Sequence, residues 1–471
     1  MSTRKIIMFE LNEVPYRVID LFDNAYPNSA LTRLLKKSRQ YETYIEEPTD
    51  GLAPTKTWPT VHRGVNYDKH GIADFGQPLD EVDRKFPPIW KLTTSNGIKT
   101  GVFGSLLTYQ LPENLNNYAF YVPEAFASEP LTYPKTLSAF QEFNLVMSRA
   151  SVRNVSQKVD WNSARKLLFN SVNLGLSLQT LWEIGKQLTL EKINPIVKTR
   201  RRTFQTLLGF DIFIKQLQCY KPNFTTFFTN HVAAAMHRYW AATFPEDYAD
   251  FQLTNKWGFE FRNEINVTMK YTDVMLERLV RFVDTNPDYL LLIVTGMGQA
   301  ALSAKPTTSF LRIIDLDRFM SCLGIDRSEY EARPAMAPHY SVVVARHKLP
   351  EFRLQSSKLL LDGNNVKFTE RGKGFFTIDF NYHDCQQFSC VELDGKLISF
   401  EEIGIVHTQH EDGVYLTGQH IPQGVMLAYD PQRQIKNQQR TQISTLDIAP
   451  QILSNFSIPV PSYMNPTSSL W

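Results

Sequence analysis

A chain of 471 residues, 43% apolar and 21% charged, is long enough for one large α/β domain with insertions or for two to three domains, and it can bury a sizeable core. Its formal net charge of +2 excludes the strong positive field that nucleic-acid binding relies on, and no run of about 18 apolar residues offers a transmembrane anchor. Four cysteines, Cys219, Cys322, Cys385 and Cys390, match no metal-ligand spacing and are too few for a disulfide framework, which points to a reducing, cytoplasmic setting.

Near the start, the apolar run within Lys5–Phe9 is too short for a signal h-region or a span and reads as a buried strand. Ile98–Gly104 is a weaker strand candidate, while Asn223–Thr229 and Tyr289–Thr295 are stronger. Continuous apolar strands of this kind belong to a parallel sheet covered by helices on both faces. Ligands sit at the carboxyl ends of such strands, so Glu10, Asn12, Asn230, His231 and the turn Gly296-Met297-Gly298-Gln299 draw notice. Residues 125–215 show helical spacing of Leu167, Leu168, Val172, Leu174, Leu178 and Leu181, and end near the basic run Lys198–Arg202. That run is either a solvated helix face or a docking patch for an anion. Residues 339–400 alternate polar and apolar positions, and Asp362-Gly363 and Asp394-Gly395 suggest hairpin turns. The expected organisation is an α/β core over 1–124, 216–338 and 401–471, with a helical insertion at 125–215 and a small β-rich cap at 339–400.

The most informative stretch is Pro54-Thr55-Lys56-Thr57-Trp58-Pro59-Thr60, closing at His70-Gly71-Ile72. A Thr hydroxyl at a helix N-terminus faces free N–H groups that favour a phosphate. It is a weak nucleophile unless a metal or base activates it. The competing reading is a helix N-cap.

Pro-Thr-Lys-Thr-Trp-Pro followed by His-Gly-Ile resembles the nucleophile loop of type I phosphodiesterase/nucleotide pyrophosphatases of the alkaline phosphatase superfamily. Further landmarks follow in that family's order: Phe227–His231 through His237, Leu291–Gly298, His410–Gly418 with His407 as an alternative match, and Ser444–Leu453 followed by Ile458–Pro461. The resemblance implies an alkaline-phosphatase-like fold and a phosphodiesterase, phosphatase or phosphoryl-transferase activity. Thr57 would be the nucleophile, with Asn12 and Asn230 holding phosphoryl oxygens and Trp58, Thr60 and His407 near the substrate. Thr60 stands where the family carries Asn.

Family enzymes hold two zinc ions with Asp and His ligands. Here Glu10 or Asn12 takes the neighbourhood of the first-strand Asp, Gly296-Met297-Gly298 replaces the Asp-His pair, and Ala233 falls where an Asp is expected. The resemblance therefore implies one zinc, on His231, His237 and His410 with Glu10 as a further candidate, and a second only if substitutes exist. Met297 offers a soft thioether unsuited to zinc. Glu10 is either a ligand or an acceptor for helix N–H groups. His62 and His70 read as structural, and His339, His347, His383 and His420 as surface or cap residues. Asp447 reads as the cap of the helix from Ile448. The ligand would be a phosphorylated or otherwise anionic small molecule or glycan. The rivals are a non-catalytic descendant binding such a ligand, and a metal-divergent transferase in glycan or lipid-conjugate assembly.

Overall fold

The computed structural model describes residues 3–46, 51–150, 160–248, 254–304, 309–336, 338–380, 389–409, 416–433, 435, 439–465 and 470–471. His383, Cys385 and His410 lie outside the described residues.

The expected buried strands pair as β1 (Lys5–Leu11), β5 (Phe224–Thr229) and β6 (Tyr289–Val294), with β1 parallel to both neighbours. In β1, every residue from Ile6 to Leu11 is buried. Alternate side chains enter two different cores, Ile7, Phe9 and Leu11 on one face and Ile6 and Met8 on the other, as a strand covered on both faces requires. β2 (Arg39–Tyr44), β3 (Thr100–Phe103) and β4 (Tyr118–Val122) join the same sheet. The eight strands run in the order Thr441–Ser444, β2, Gln423–Tyr429, β6, β1, β5, β3, β4. Only Gln423–Tyr429 runs against the rest.

Helices Arg201–Tyr220, His231–Thr243 and Glu264–Thr285 supply Phe210, Phe213, Trp240, Leu276 and Leu279 to one core. Helices Pro54–Arg63, Ile89–Ser95 and Ile448–Asn455 supply Trp58, Trp90 and Ile452 to the other. The fold class is thus the expected one, a mostly parallel sheet between helices, with small antiparallel sheets besides.

Between β4 and β5 the chain carries the helices Ser138–Ala150, Trp161–Phe169 and Leu178–Ile193 before Arg201–Tyr220. The β-rich part has a core of its own running from Leu311 to Ile405. Its expected hairpin turns are present: Asp362 and Gly363 (φ 51° and 71°) join paired strands, as do Asp394 and Gly395 (φ 52° and 74°). Left-handed backbone at both central residues is the type I′ geometry that fits the strand twist. Arg371 ties this unit to the main body through Asp74 at 3.0 Å and the Tyr67 hydroxyl at 3.1 Å. Asp447 differs from expectation: its carboxylate turns back to the Ser444 N–H in a capping box and leaves the helix from Ile448 without a side-chain cap. Among the described residues no helix is long and apolar enough to cross a membrane.

Glu124, just past β4, is fully buried with no hydrogen-bond partner on either carboxyl oxygen, and burial pushes its carboxyl up to about 8. Between its ordinary value of 4.5 and about 8, the native state binds more protons than the unfolded chain, so stability falls as pH rises through that window, by about 1.4 kcal/mol per unit. Glu124→Gln is expected to flatten this decline, melting higher than the parent at pH 8 relative to pH 5. Parallel melting curves across the two proteins would exclude a buried neutral carboxyl.

Candidate functional site

Helix Pro54–Arg63 crosses the carboxyl ends of the central strands. Trp58 Nε1 donates to Asn12 Oδ1 at 2.7 Å, just beyond β1. One turn on, His62 Nε2 lies 2.8 Å from Glu10 Oε1, both fully buried. The Trp58 ring meets Phe228 of β5 edge-on at 5.6 Å. It also lies against Gly296, where an added Cβ would stand 3.2 Å from the indole. Thr57 is the fourth residue of this helix, whose N-cap position is held by Ala53. The N-cap reading of Thr57 is therefore replaced: its Oγ1 is buried without a hydrogen-bond partner. Thr60 Oγ1 instead meets Lys56 O and His70 Nε2, at 3.2 and 3.1 Å.

A second cluster lies beside Asn12. Its Nδ2 donates to Glu13 Oε1 and to Asn230 Oδ1, each at 2.7 Å. Glu13 Oε2 stands 3.0 Å from His237 Nε2 and 3.3 Å from His420 Nε2, and it accepts a short hydrogen bond from Gln299 Nε2. The two imidazole rings meet at 77°, centroids 5.0 Å apart. Glu13, His237 and His420 each offer a ligand atom, all within 4.8 Å of one another.

The local structure explains this convergence. Glu13 adopts a left-handed backbone (φ 65°) and its N–H bonds Thr295 O at 2.9 Å. That turns its carboxylate back over the strand ends. Non-glycine residues hold such a conformation at a cost of about 1–3 kcal/mol, and these outliers concentrate at functional sites. His237 comes from helix His231–Thr243, and His420 from strand Gly418–Ile421, which pairs antiparallel with Gly298–Ala301 so that His420 faces Gln299.

Each ring has its far nitrogen fixed: His237 Nδ1 lies 2.9 Å from Gly418 O, and His420 Nδ1 lies 2.7 Å from Leu52 O. A carbonyl can only accept, so Nδ1 carries the hydrogen and a neutral ring turns its Nε2 lone pair inward. Two such lone pairs facing one carboxylate oxygen require a positive charge among them, either protons on the rings or a cation. The donor set, two imidazoles and one carboxylate each steadied from behind, could hold a metal ion. The side chains of His237 and His420 are 31% and 23% exposed, against 3% for Glu13, while the His420 Nε2 atom itself is buried. Burial alone raises the Glu13 carboxyl; His420 and His237, by charge and hydrogen bond, outweigh it and hold it well below the usual carboxylate range.

Of the residues singled out in the sequence, the structure brings His237, Asn12 and Asn230 together and links Trp58 to them. Glu10 receives no helix N–H; its partner is His62. His231 is buried with Nδ1 2.5 Å from Thr229 Oγ1 and Nε2 3.0 Å from Thr272 Oγ1. Burial pushes its imidazole down to about 3, so it stays neutral with both nitrogens occupied. His407 lies on strand Ile405–Gln409, opposite Leu311 in the β-rich unit. Glu13 and His420 were missed, His420 having been expected on the surface or cap. A carboxylate directly after Asn12, past a buried strand, was the one local signal for Glu13.

No family model matches the chain, and no curated protein matches it in sequence. Among solved structures, the chain is similar to murine ectonucleotide pyrophosphatase/phosphodiesterase 5 over 97% of its own length and 96% of that chain, at 11% identity and a TM-score of 0.40. An inactive variant of that protein in complex with AMP overlaps to the same extent. The human counterpart gives 12% identity and a TM-score of 0.38, over 99% and 97% of the two chains. The likeness is long in span and loose in geometry, and no residue role passes across it.

Gly418 tests the orientation of His237. A Cβ there would stand 2.7 Å from both Met236 O and Gln299 Oε1 and 3.1 Å from His237 Cα. Gly418→Ala is expected to push the strand off the His237 helix and, if the triad holds a metal ion, to weaken that binding by about 10–100-fold, measured by competition with a chelating dye. Unchanged affinity would show that the Gly418 carbonyl does not set the ring.

Proposed function

We propose that this protein is a phosphoric-ester hydrolase or phosphoryl transferase of the alkaline-phosphatase type, with one zinc ion on Glu13, His237 and His420 and with Thr57 as nucleophile. The ordered landmarks in the sequence support the superfamily. The observation that carries the site is the hydrogen-bonded line from Trp58 through Asn12 to Glu13, which joins the Thr57 turn to the three ligand atoms. A zinc ion held there supplies Lewis acidity toward a phosphoryl oxygen.

The chain's own groups divide the remaining work. Thr57 Oγ forms the bond to phosphorus while the ester oxygen leaves, and the hydroxyl proton departs to solvent or the leaving group. Asn12 holds the Glu13 carboxylate in place, and the exposed Asn230 beside it is positioned to meet a substrate oxygen. Backbone N–H groups in the first turn of helix Pro54–Arg63 favour the phosphoryl anion. The substrate class is a phosphorylated small molecule or glycan. Among the described residues no second ligand set stands apart from this one: Met297 packs with Ile45 and Leu52, and Glu10 is engaged by His62.

One observation favours a second reading. Thr57 is fully enclosed, so attack requires its turn to open, whereas a ligand-binding protein without turnover makes no such demand. Hydrolysis of a generic phosphodiester by the zinc-loaded protein separates the two. Thr57→Ala is expected to cut kcat/KM by about a thousandfold or more at a nearly unchanged melting temperature, and His237→Ala to lose both zinc and activity. Activity that survives Thr57→Ala and vanishes in His237→Ala would replace the Thr nucleophile by water. No activity on any ester, with zinc bound, would leave the binding reading.

A further inference from the structure

Helix Leu178–Ile193 leaves much of its apolar surface outside. Its inward face mixes Ile184, packed against the core, with the buried polar residues Thr180, Gln187 and Glu191; Gln187 Nε2 donates to Val197 O at 2.7 Å, and Glu191 is clasped by Arg201 at 2.6 Å. Its outward face carries Leu178, Trp182, Leu190 and Ile193, with Leu178 85%, Trp182 67% and Ile193 78% exposed. These positions recur at the three- and four-residue spacing of one helical stripe. An amphipathic helix normally places such a stripe against the core; here the core side is closed by the ion pair, and the stripe is left outside.

The preceding helix, Trp161–Phe169, repeats the pattern. Trp161, Leu168 and Phe169 are exposed, as is Val172 in the next turn. Large exposed apolar patches mark interaction surfaces, and the charges around this one name the partner. From Trp161 to Ile193 every exposed charged residue is basic: Arg165, Lys166, Lys186 and Lys192. Two of these cations already face acids, Lys166 with Glu142 and Lys186 with Glu183, and Glu191 is held by Arg201, so the basic excess of this surface rests on Arg165 and Lys192.

We infer that this helical insertion docks on an anionic lipid surface, with the Leu178–Ile193 helix lying in the interface. Tryptophans and leucines enter the headgroup boundary while lysines meet lipid phosphates, the arrangement of an interfacial helix. A second copy of the chain fits worse, because a two-fold contact sets the same basic residues against themselves. The helix lies on the bilayer and does not cross it, being neither long nor apolar enough.

Sedimentation of the full-length protein with vesicles of phosphatidylcholine plus phosphatidylserine, and of phosphatidylcholine alone, tests this. The protein is expected to follow the anionic vesicles and to favour them over the neutral ones. Trp182→Ser with Ile193→Ser, and separately Lys186→Glu with Lys192→Glu, are each expected to weaken that binding by about tenfold or more at an unchanged melting temperature. No binding to anionic vesicles, or equal binding by the parent and both variants, would overturn the inference. So would a parent dimer that the Trp182/Ile193 variant converts to monomer, which assigns the stripe to a second copy.

Discussion

The Glu13 carboxylate is the joint on which the site hangs. Four segments distant in sequence meet at its two oxygens: the end of the first strand through Asn12, the strand Gly298–Ala301 through Gln299, the helix bearing His237, and the strand bearing His420. Each partner is a polar group at the sheet's carboxyl ends, where a buried charge left alone would cost several kcal/mol. The left-handed backbone of Glu13 is tolerated because those partners over-determine it. Removing the carboxylate would leave the two imidazoles held only through their Nδ1 carbonyl contacts and take from Asn12 and Gln299 one of their acceptors.

The frame around this joint was legible for local reasons. β1 and β6 are buried on both faces and so carry the apolar runs Ile6–Phe9 and Tyr289–Val294, while β5 mixes phenylalanines with threonines. The Asp-Gly pairs at 362–363 and 394–395 announced hairpins because few other residues hold that turn. The site was less legible because its contacts are not local. His420 meets Gln299 only through the register of two short strands, and Glu10 meets His62 across 52 residues. No spacing rule reveals either pairing. His231 and His237 look equivalent in sequence, yet the first faces two threonine hydroxyls inside the core and the second reaches Glu13 at the edge.

The turn Gly296-Met297-Gly298 shows what the chain does where the family it resembles carries an Asp-His pair. Gly296 lies in left-handed backbone beneath the Trp58 indole, and Gly298 leaves only 2.3 Å between an added Cβ and Gln423 O. Met297 is fully buried beside Ile45 and Leu52. Close packing, not ligation, now fixes these positions. Among the described residues, the group able to hold a metal ion lies elsewhere, where both imidazoles turn their Nε2 atoms toward one Glu13 oxygen.

Metal stoichiometry and position in the purified protein test this account most directly. The account predicts one zinc ion per chain after dialysis against zinc and gel filtration, one anomalous-scattering peak between Glu13, His237 and His420, and loss of that ion in Glu13→Gln. Two ions per chain, a peak at Glu10 and His62, or full zinc retention by Glu13→Gln would contradict it.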